Sequence, residues 1–258
     1  MKLTNIEALL EKICPLCISE EFKQNGAHDN SGVIIRANEE VKKILFALDL
    51  TLESVKKAKE IGADTILTHH PAIYHPISNL DMCGATSALL NAAKSNMNVI
   101  SMHLNLDAAY GGIDDCLAEA FGAKKCKAIT KVNKGSGYGK EFTVEKTNLI
   151  ELKKKAIEVL KSDKVLIYGD TQKEITKIAT FCGAGGSDAQ AYFGKAQVVI
   201  SGDLPHRVIK DLLEDGKCVV HLTHFASENY GFEIFYNRVK EEVGEEVECF
   251  YFTDERFI

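Results

Sequence analysis

The chain has 258 residues, 31 Lys and Arg against 37 Asp and Glu, and a formal net charge of −6. Hydrophobic residues make up 45%, enough to bury a core, which disfavours disorder. No apolar run nears the ~20 residues that span a bilayer. The acidic balance speaks against a general nucleic-acid binder, which needs a basic face. The opening segment carries Glu7 and Glu11 and does not read as a secretory signal, so a cytoplasmic protein is expected. The eight cysteines are scattered and read as reduced thiols. The one CxxC, Cys14-Pro15-Leu16-Cys17, closes a helix and lacks a second pair at zinc-ribbon spacing.

The first predicted helix opens at Thr4-Asn5-Ile6-Glu7, which has the form of a capping box. Ile6, Leu9, Leu10 and Ile13 follow at helical spacing, and Pro15 lies just beyond. Strands are expected at 33–36 and 43–50. From residue 43 onward the pattern alternates: helix 51–61, strand 65–67, helix 85–94, strand 99–102, helix 113–121. Short apolar strands separated by helices predict a parallel α/β sheet. The stretch 124–168 differs: it is lysine-rich, contains Gly135-Ser-Gly-Tyr-Gly-Lys140 and holds a helix from about 148 to 160. The alternation then returns. Strand 175–181 leads into the glycine turn 182–186, with Ser187 capping a helix to about 193. Strand 197–200, helix 205–214 and strand 218–220 follow, then a long helix 227–242 and an edge strand 247–252. Segments 64–71 and 99–107 answer 197–205 and 219–228, so 43–121 and 175–242 read as an internal repeat.

Open α/β sheets bind ligands at the carboxyl ends of their strands. That rule selects Thr68-His69-His70-Pro71, His103 to Asp107, the turn 182–187, and His224 to Glu228. A lone His-His pair reads more readily as one hydrogen-bonded and one surface histidine. Asp107, His224 and Glu228 past neighbouring strand ends change that balance. A His and a Glu four apart share a helical face. The set His69, His70, Asp107, His224 and Glu228 suits a divalent transition metal, and its extra carboxylate suits a two-metal centre. His103 could orient Asp107 or a bound water, with a loop-carbonyl hydrogen bond as the alternative. His206 could transfer protons or touch an anion, with a capping role as the alternative. Gly185, Gly186 and Asp203 are weaker substrate-binding candidates, since glycine turns often serve geometry alone. Asp49 is a candidate to support a ligand from behind. His28, His75 and His221 fall outside the pattern.

Taken together, these motifs resemble the GTP cyclohydrolase 1 type 2 family, also called the NIF-three-like proteins. The matching stretches are Asp29-Asn-Ser-Gly32, Leu48-Asp-Leu-Thr51, Thr68-His-His-Pro71, His103-Leu-Asn-Leu-Asp107 with Gly111-Gly112, and Gly185-Gly186. Ser201-Gly-Asp203 with His206 and Thr223-His-Phe-Ala-Ser-Glu228 complete them. The resemblance implies two metal ions per chain (zinc, iron or manganese) on His69, His70, Asp107, His224 and Glu228. It implies two interlocked, repeat-related α/β domains with mostly parallel sheets, 1–124 plus about 201–258 and about 125–200, with the active site at strand carboxyl ends. It also implies a homo-oligomer, a ring-shaped hexamer. Many relatives carry Arg where Lys140 stands. The implied activity is a dinuclear metal-dependent hydrolase that opens the GTP ring to dihydroneopterin triphosphate plus formate. The alternatives are a hydrolase of another nucleotide or phosphoester, and a metal-binding interaction or regulatory protein. No membrane association is expected.

Overall fold

The computed structural model describes residues 1–84 and 86–257. Contacts divide the chain into two units, residues 1–109 with 233–257, and residues 110–232. Residues 198–202 pair with 178–184, and 219–221 with 166–168, which places both strands in the second unit.

In the first unit, α1 (Leu3–Ile13) buries Leu3, Ile6, Leu10 and Ile13, one stripe at helical spacing. It starts at Lys2 with no side-chain cap, so the capping box expected at Thr4 does not form. The Leu3 amide donates to the Glu39 carbonyl instead, and Glu7 pairs with Arg36. α2 (Leu16–Gln24) follows Pro15. Cys14 is buried at the junction and Cys17 is exposed. After β1 (Gly32–Ile35) come β2 (Lys43–Ala47), α3 (Leu52–Ile61), β3 (Thr65–Thr68), α4 (Ser87–Lys94), β4 (Asn98–Ser101) and the short α5 (Leu104–Asp107). Ala85, where the helix before Lys94 was expected to start, lies outside the described residues. A capping box does form at α3: the Ser54 amide donates to Thr51 Oγ1 (3.1 Å) and the Thr51 amide to Ser54 Oγ (2.8 Å).

The second unit holds α6 (Ile113–Ala120), β5 (Cys126–Thr130), β6 (Tyr138–Thr147), α7 (Leu149–Leu160), β7 (Leu166–Tyr168), β8 (Ile175–Ala184), α8 (Gly186–Gln190), β9 (Val198–Gly202), α9 (His206–Glu214) and β10 (Cys218–His221). α10 (His224–Val243) starts in this unit and ends in the first, which β11 (Glu248–Phe252) completes. Three expectations shift. β5 and β6 lie in the lysine-rich stretch where only a helix was foreseen. β8 runs on to Ala184 instead of turning at Cys182. α10 starts at His224, three residues early, which puts His224 and Glu228 on one helix.

Each unit has one sheet, ordered β1-β4-β3-β2-β11 and β5-β6-β8-β9-β10-β7. β2, β3 and β4 are parallel, as are β8, β9 and β10. In each sheet the strand preceding the triple, β1 or β7, pairs antiparallel beyond its third member. The two sheets thus share a four-strand arrangement, and differ beyond it: β11 adds to β2 in parallel, whereas β6 adds to β8 antiparallel and is followed by β5. Burial explains the apolar strands: Ile44–Ala47, Ile66, Leu67, Val99 and Ile100 are closed off from solvent. Because β1 runs against β4, with Gly32 opposite Ser101, the residues just before β1 reach the carboxyl end of β4. Among the described residues no helix is long and apolar enough to cross a membrane.

Candidate metal centre

In the first unit, His69 and His70 follow the last residue of β3. Both amides donate to the Leu48 carbonyl (3.2 and 3.0 Å), so the backbone curls here. The rings are therefore released from the alternation of an extended strand. Their centroids lie 4.9 Å apart, and the His103 ring lies 5.2 Å from His69 and 5.8 Å from His70. One donor atom from each of the three falls within 4.8 Å of the others. Asp107, on α5, places Oδ1 3.5 Å from His69 Nε2, and both side chains are buried.

Each imidazole is held from behind at Nδ1. His69 Nδ1 donates to the Met102 carbonyl (2.8 Å), His70 Nδ1 to Asp49 (2.7 Å) and His103 Nδ1 to Asp29 (2.6 Å). In the second unit His224 Nδ1 donates to Asp203 (2.7 Å). A carbonyl or an ionised carboxylate only accepts, so the hydrogen sits on Nδ1 and a neutral ring keeps an electron pair on Nε2. His69 Nε2 then faces the Asp107 carboxylate. His224 Nε2 faces Glu228 Oε2 at 3.1 Å, and Glu228 is 2% exposed. Electron-rich atoms brought this close, with His69, Asp107 and Glu228 buried, call for a cation beside them. Imidazole Nε2 and carboxylate oxygen, with every Nδ1 tied to oxygen, form a donor set that fits a divalent transition ion.

Burial pushes the Asp29 carboxyl up, but hydrogen bonds from His103, Ser19 and Ser31 outweigh it and hold it down to about 2. Asp29 therefore stays an anion that fixes the His103 tautomer. No spacing rule links residues 29 and 103. The motif Asp29-Asn-Ser-Gly32 was the sole sequence signal, and only the antiparallel β1–β4 pairing joins them.

The second unit makes room with glycine. Gly183 has φ +58°, and a Cβ there would overlap Glu228 Oε1. A Cβ on Gly202 would lie 2.9 Å from His224 Cα. The Gly183 amide donates to Ser227 Oγ (2.9 Å), whose hydroxyl donates to the His224 carbonyl (2.7 Å). Behind Gly183, Tyr138 donates to the Cys182 carbonyl (2.7 Å) and the Cys182 amide donates to Asp114 (3.2 Å). The end of β8 is thus tied to the first turn of α10.

The other sequence candidates separate. Gly185 and Gly186 are buried, and the space a side chain would need is filled by Ser201, Phe181 and Pro205. They serve packing. Asp203, at φ +45°, has its carboxylate engaged by His224. His206 is exposed in the first turn of α9. His221 Nε2 accepts from the Leu204 amide (3.3 Å), and burial lowers its pKa. Lys140 is fully buried, donating to the Gly137 carbonyl (2.6 Å) and pairing with Asp115 (2.8 Å).

Comparison with known proteins finds relatives along nearly the whole chain. The Duf34/NIF3 (NGG1p interacting factor 3) family profile matches residues 1–256. A GTP cyclohydrolase 1 type 2 homolog of Clostridium perfringens is 35% identical, across 96% of this chain and 95% of its own. One from Methanocaldococcus jannaschii is 31% identical, across 91% and 93%. In fold, the crystal structure of a Bacillus cereus protein related to NIF3 superposes with a TM-score of 0.87 at 18% identity, covering 99% and 97%. With a match along nearly its whole length, this chain belongs to the Duf34/NIF3 family.

Proposed function

We propose that the protein is a metal-dependent hydrolase acting on a nucleotide. It holds two divalent transition-metal ions (zinc, iron or manganese) through His69, His70, Asp107, His224 and Glu228. The observation that carries this reading is the common orientation of four histidines, each with Nδ1 on an oxygen acceptor. Histidines that merely fill space have no reason to share it. Ions bound there supply Lewis-acid polarisation and lower the pKa of water. Asp49, Asp203 and the Met102 carbonyl fix the tautomers that offer Nε2. Asp107 and Glu228 offset the positive charge. His103, with Nδ1 committed to Asp29, offers Nε2 as a proton acceptor. His206 is an exposed second proton carrier.

The names of the relatives favour GTP, opened to dihydroneopterin triphosphate plus formate, and the same donors suit another nucleotide or a phosphoester. A homo-oligomer, a hexamer by family resemblance, is part of this reading.

The test is Glu228→Gln, which keeps size and removes charge. Elemental analysis is expected to show loss of one of two ions, and a nucleotide panel loss of product, with the metal-free thermal transition unchanged. Full metal in the variant removes Glu228 from the ligand set. Full metal in the wild type with no product from any nucleotide favours a metal-binding interaction protein.

A further inference from the structure

The segment between β3 and α4, residues 69–86, has no helix or strand among its described residues. Loops beyond about 12–15 residues are uncommon as mere connections and are often binding loops. Past Pro71 this one exposes Tyr74 (45%), Ile77 (43%), Leu80 (52%) and Met82 (51%). These side chains give the loop an apolar, exposed outer edge. The base of the loop is held: the Ala72 amide donates to Ser101 Oγ (3.2 Å), and Asn30 Nδ2 donates to the Ile73 carbonyl (2.8 Å).

That anchoring places three rings outside the metal set. Tyr74 and His75 have centroids 4.7 Å apart, His75 and His28 4.8 Å, and Tyr74 and His103 6.0 Å. Through His103 the rings continue to His69, so five rings run from a buried metal ligand to an exposed edge. Interplanar angles of 77°, 74° and 87° mean that none of these three contacts is a face-to-face stack.

We infer that His28, Tyr74 and His75 form a base-recognition subsite for a purine nucleotide, next to His103. Phenol and imidazole rings stack on nucleobases, and imidazole nitrogens exchange hydrogen bonds with base edges. The inference rests on the nucleotide reading above. A second copy of this chain covering the loop is the competing occupant.

The experiment uses the metal-loaded full chain, titrated calorimetrically with guanosine, GTP and inorganic triphosphate, with metal content and oligomeric state measured on the same samples. Tyr74→Leu and His75→Ala are each expected to weaken guanosine and GTP about tenfold, the scale of one lost stacking contact, and to leave triphosphate binding, metal content and assembly unchanged. Tyr74→Phe is expected to retain guanosine binding. Unchanged guanosine affinity in both variants overturns the subsite. If assembly changes at the same time, the loop is an interface between copies. Wild type that carries its metals and binds neither guanosine nor GTP overturns the subsite and leaves the metal centre standing. Ring-dependent guanosine binding by a chain that takes up no metal keeps the subsite and overturns the metal centre.

Discussion

At the carboxyl end of β3 the chain places His69-His70-Pro71; at the equivalent end of β9 it places Gly202-Asp203-Leu204-Pro205. The first unit fills its strand ends with imidazoles and supports them from behind with Asp29, Asp49 and the Met102 carbonyl. The second unit empties its strand ends with Gly183 and Gly202, so that the first turn of α10 settles against β8 and β9. His224 opens that turn and Glu228 lies one turn further on. The same strand order thus presents its candidate residues differently after the middle strand, as His69 and His70 past β3 and as a glycine-aspartate turn past β9, while the candidate carboxylates Asp107 and Glu228 both sit on a helix past the third strand, α5 in one unit and α10 in the other. A shared strand order keeps polar side chains at the same strand ends while the residues placed there differ.

Breaking the helical half should have the largest effect. Gly183→Ala adds a Cβ where Glu228 Oε1 lies and forces an alanine to φ +58°. We expect metal affinity to fall about 10- to 100-fold and stability to drop by about 1–3 kcal/mol. Metal titration and thermal unfolding of the metal-free chain check the two parts separately. Unchanged affinity would mean that Glu228 moves aside freely.

A milder pair sharpens the comparison. Asp203→Asn and Asp49→Asn each remove the charge behind one histidine while keeping a hydrogen-bond acceptor, and Asn tolerates the left-handed backbone at 203. Asp203→Asn is expected to weaken metal about tenfold. Asp49→Asn should cost less, because the first unit has three imidazoles clustered where the second offers His224. Equal losses in a metal competition assay would contradict that asymmetry.

The smallest effect concerns pH. Asp114 is fully buried under the end of β8; burial pushes its carboxyl up to about 7, against the opposing pull of Lys140 and the Cys182 amide. The native state therefore binds a proton that the unfolded chain, near 3.8, has released. The stabilisation is complete below about 3.8 and is lost as pH rises through about 7. Asp114→Asn is expected to flatten the fall in melting temperature between about pH 5 and 8. An unchanged slope would assign the pH dependence to another group.

Much of this could be read in advance where the signal is local. The apolar runs at 44–48 and 197–200 announce buried parallel strands, and polar residues just past them announce a site. Strands β5 and β6 escaped because their apolar residues, such as Ile129, Phe142 and Val144, are few and lie among lysines, glutamates and threonines, so no run or strict alternation stands out. The capping box at Thr4 failed because the Glu39 carbonyl takes the Leu3 amide and Arg36 takes Glu7, partners more than twenty residues away.

The sequence by itself determined the alternation of strands and helices, the parallel core of each sheet, and the residues offered at strand ends. Periodicity and turn chemistry are properties of neighbouring residues, so one chain suffices to read them. The tertiary structure alone decided that Asp29 holds His103, that Asp203 holds His224, and that Gly183 and Gly202 clear space for Glu228 and His224. Those contacts join segments about twenty to seventy residues apart through strand pairing and close packing, and nothing in local spacing encodes which distant segments will meet.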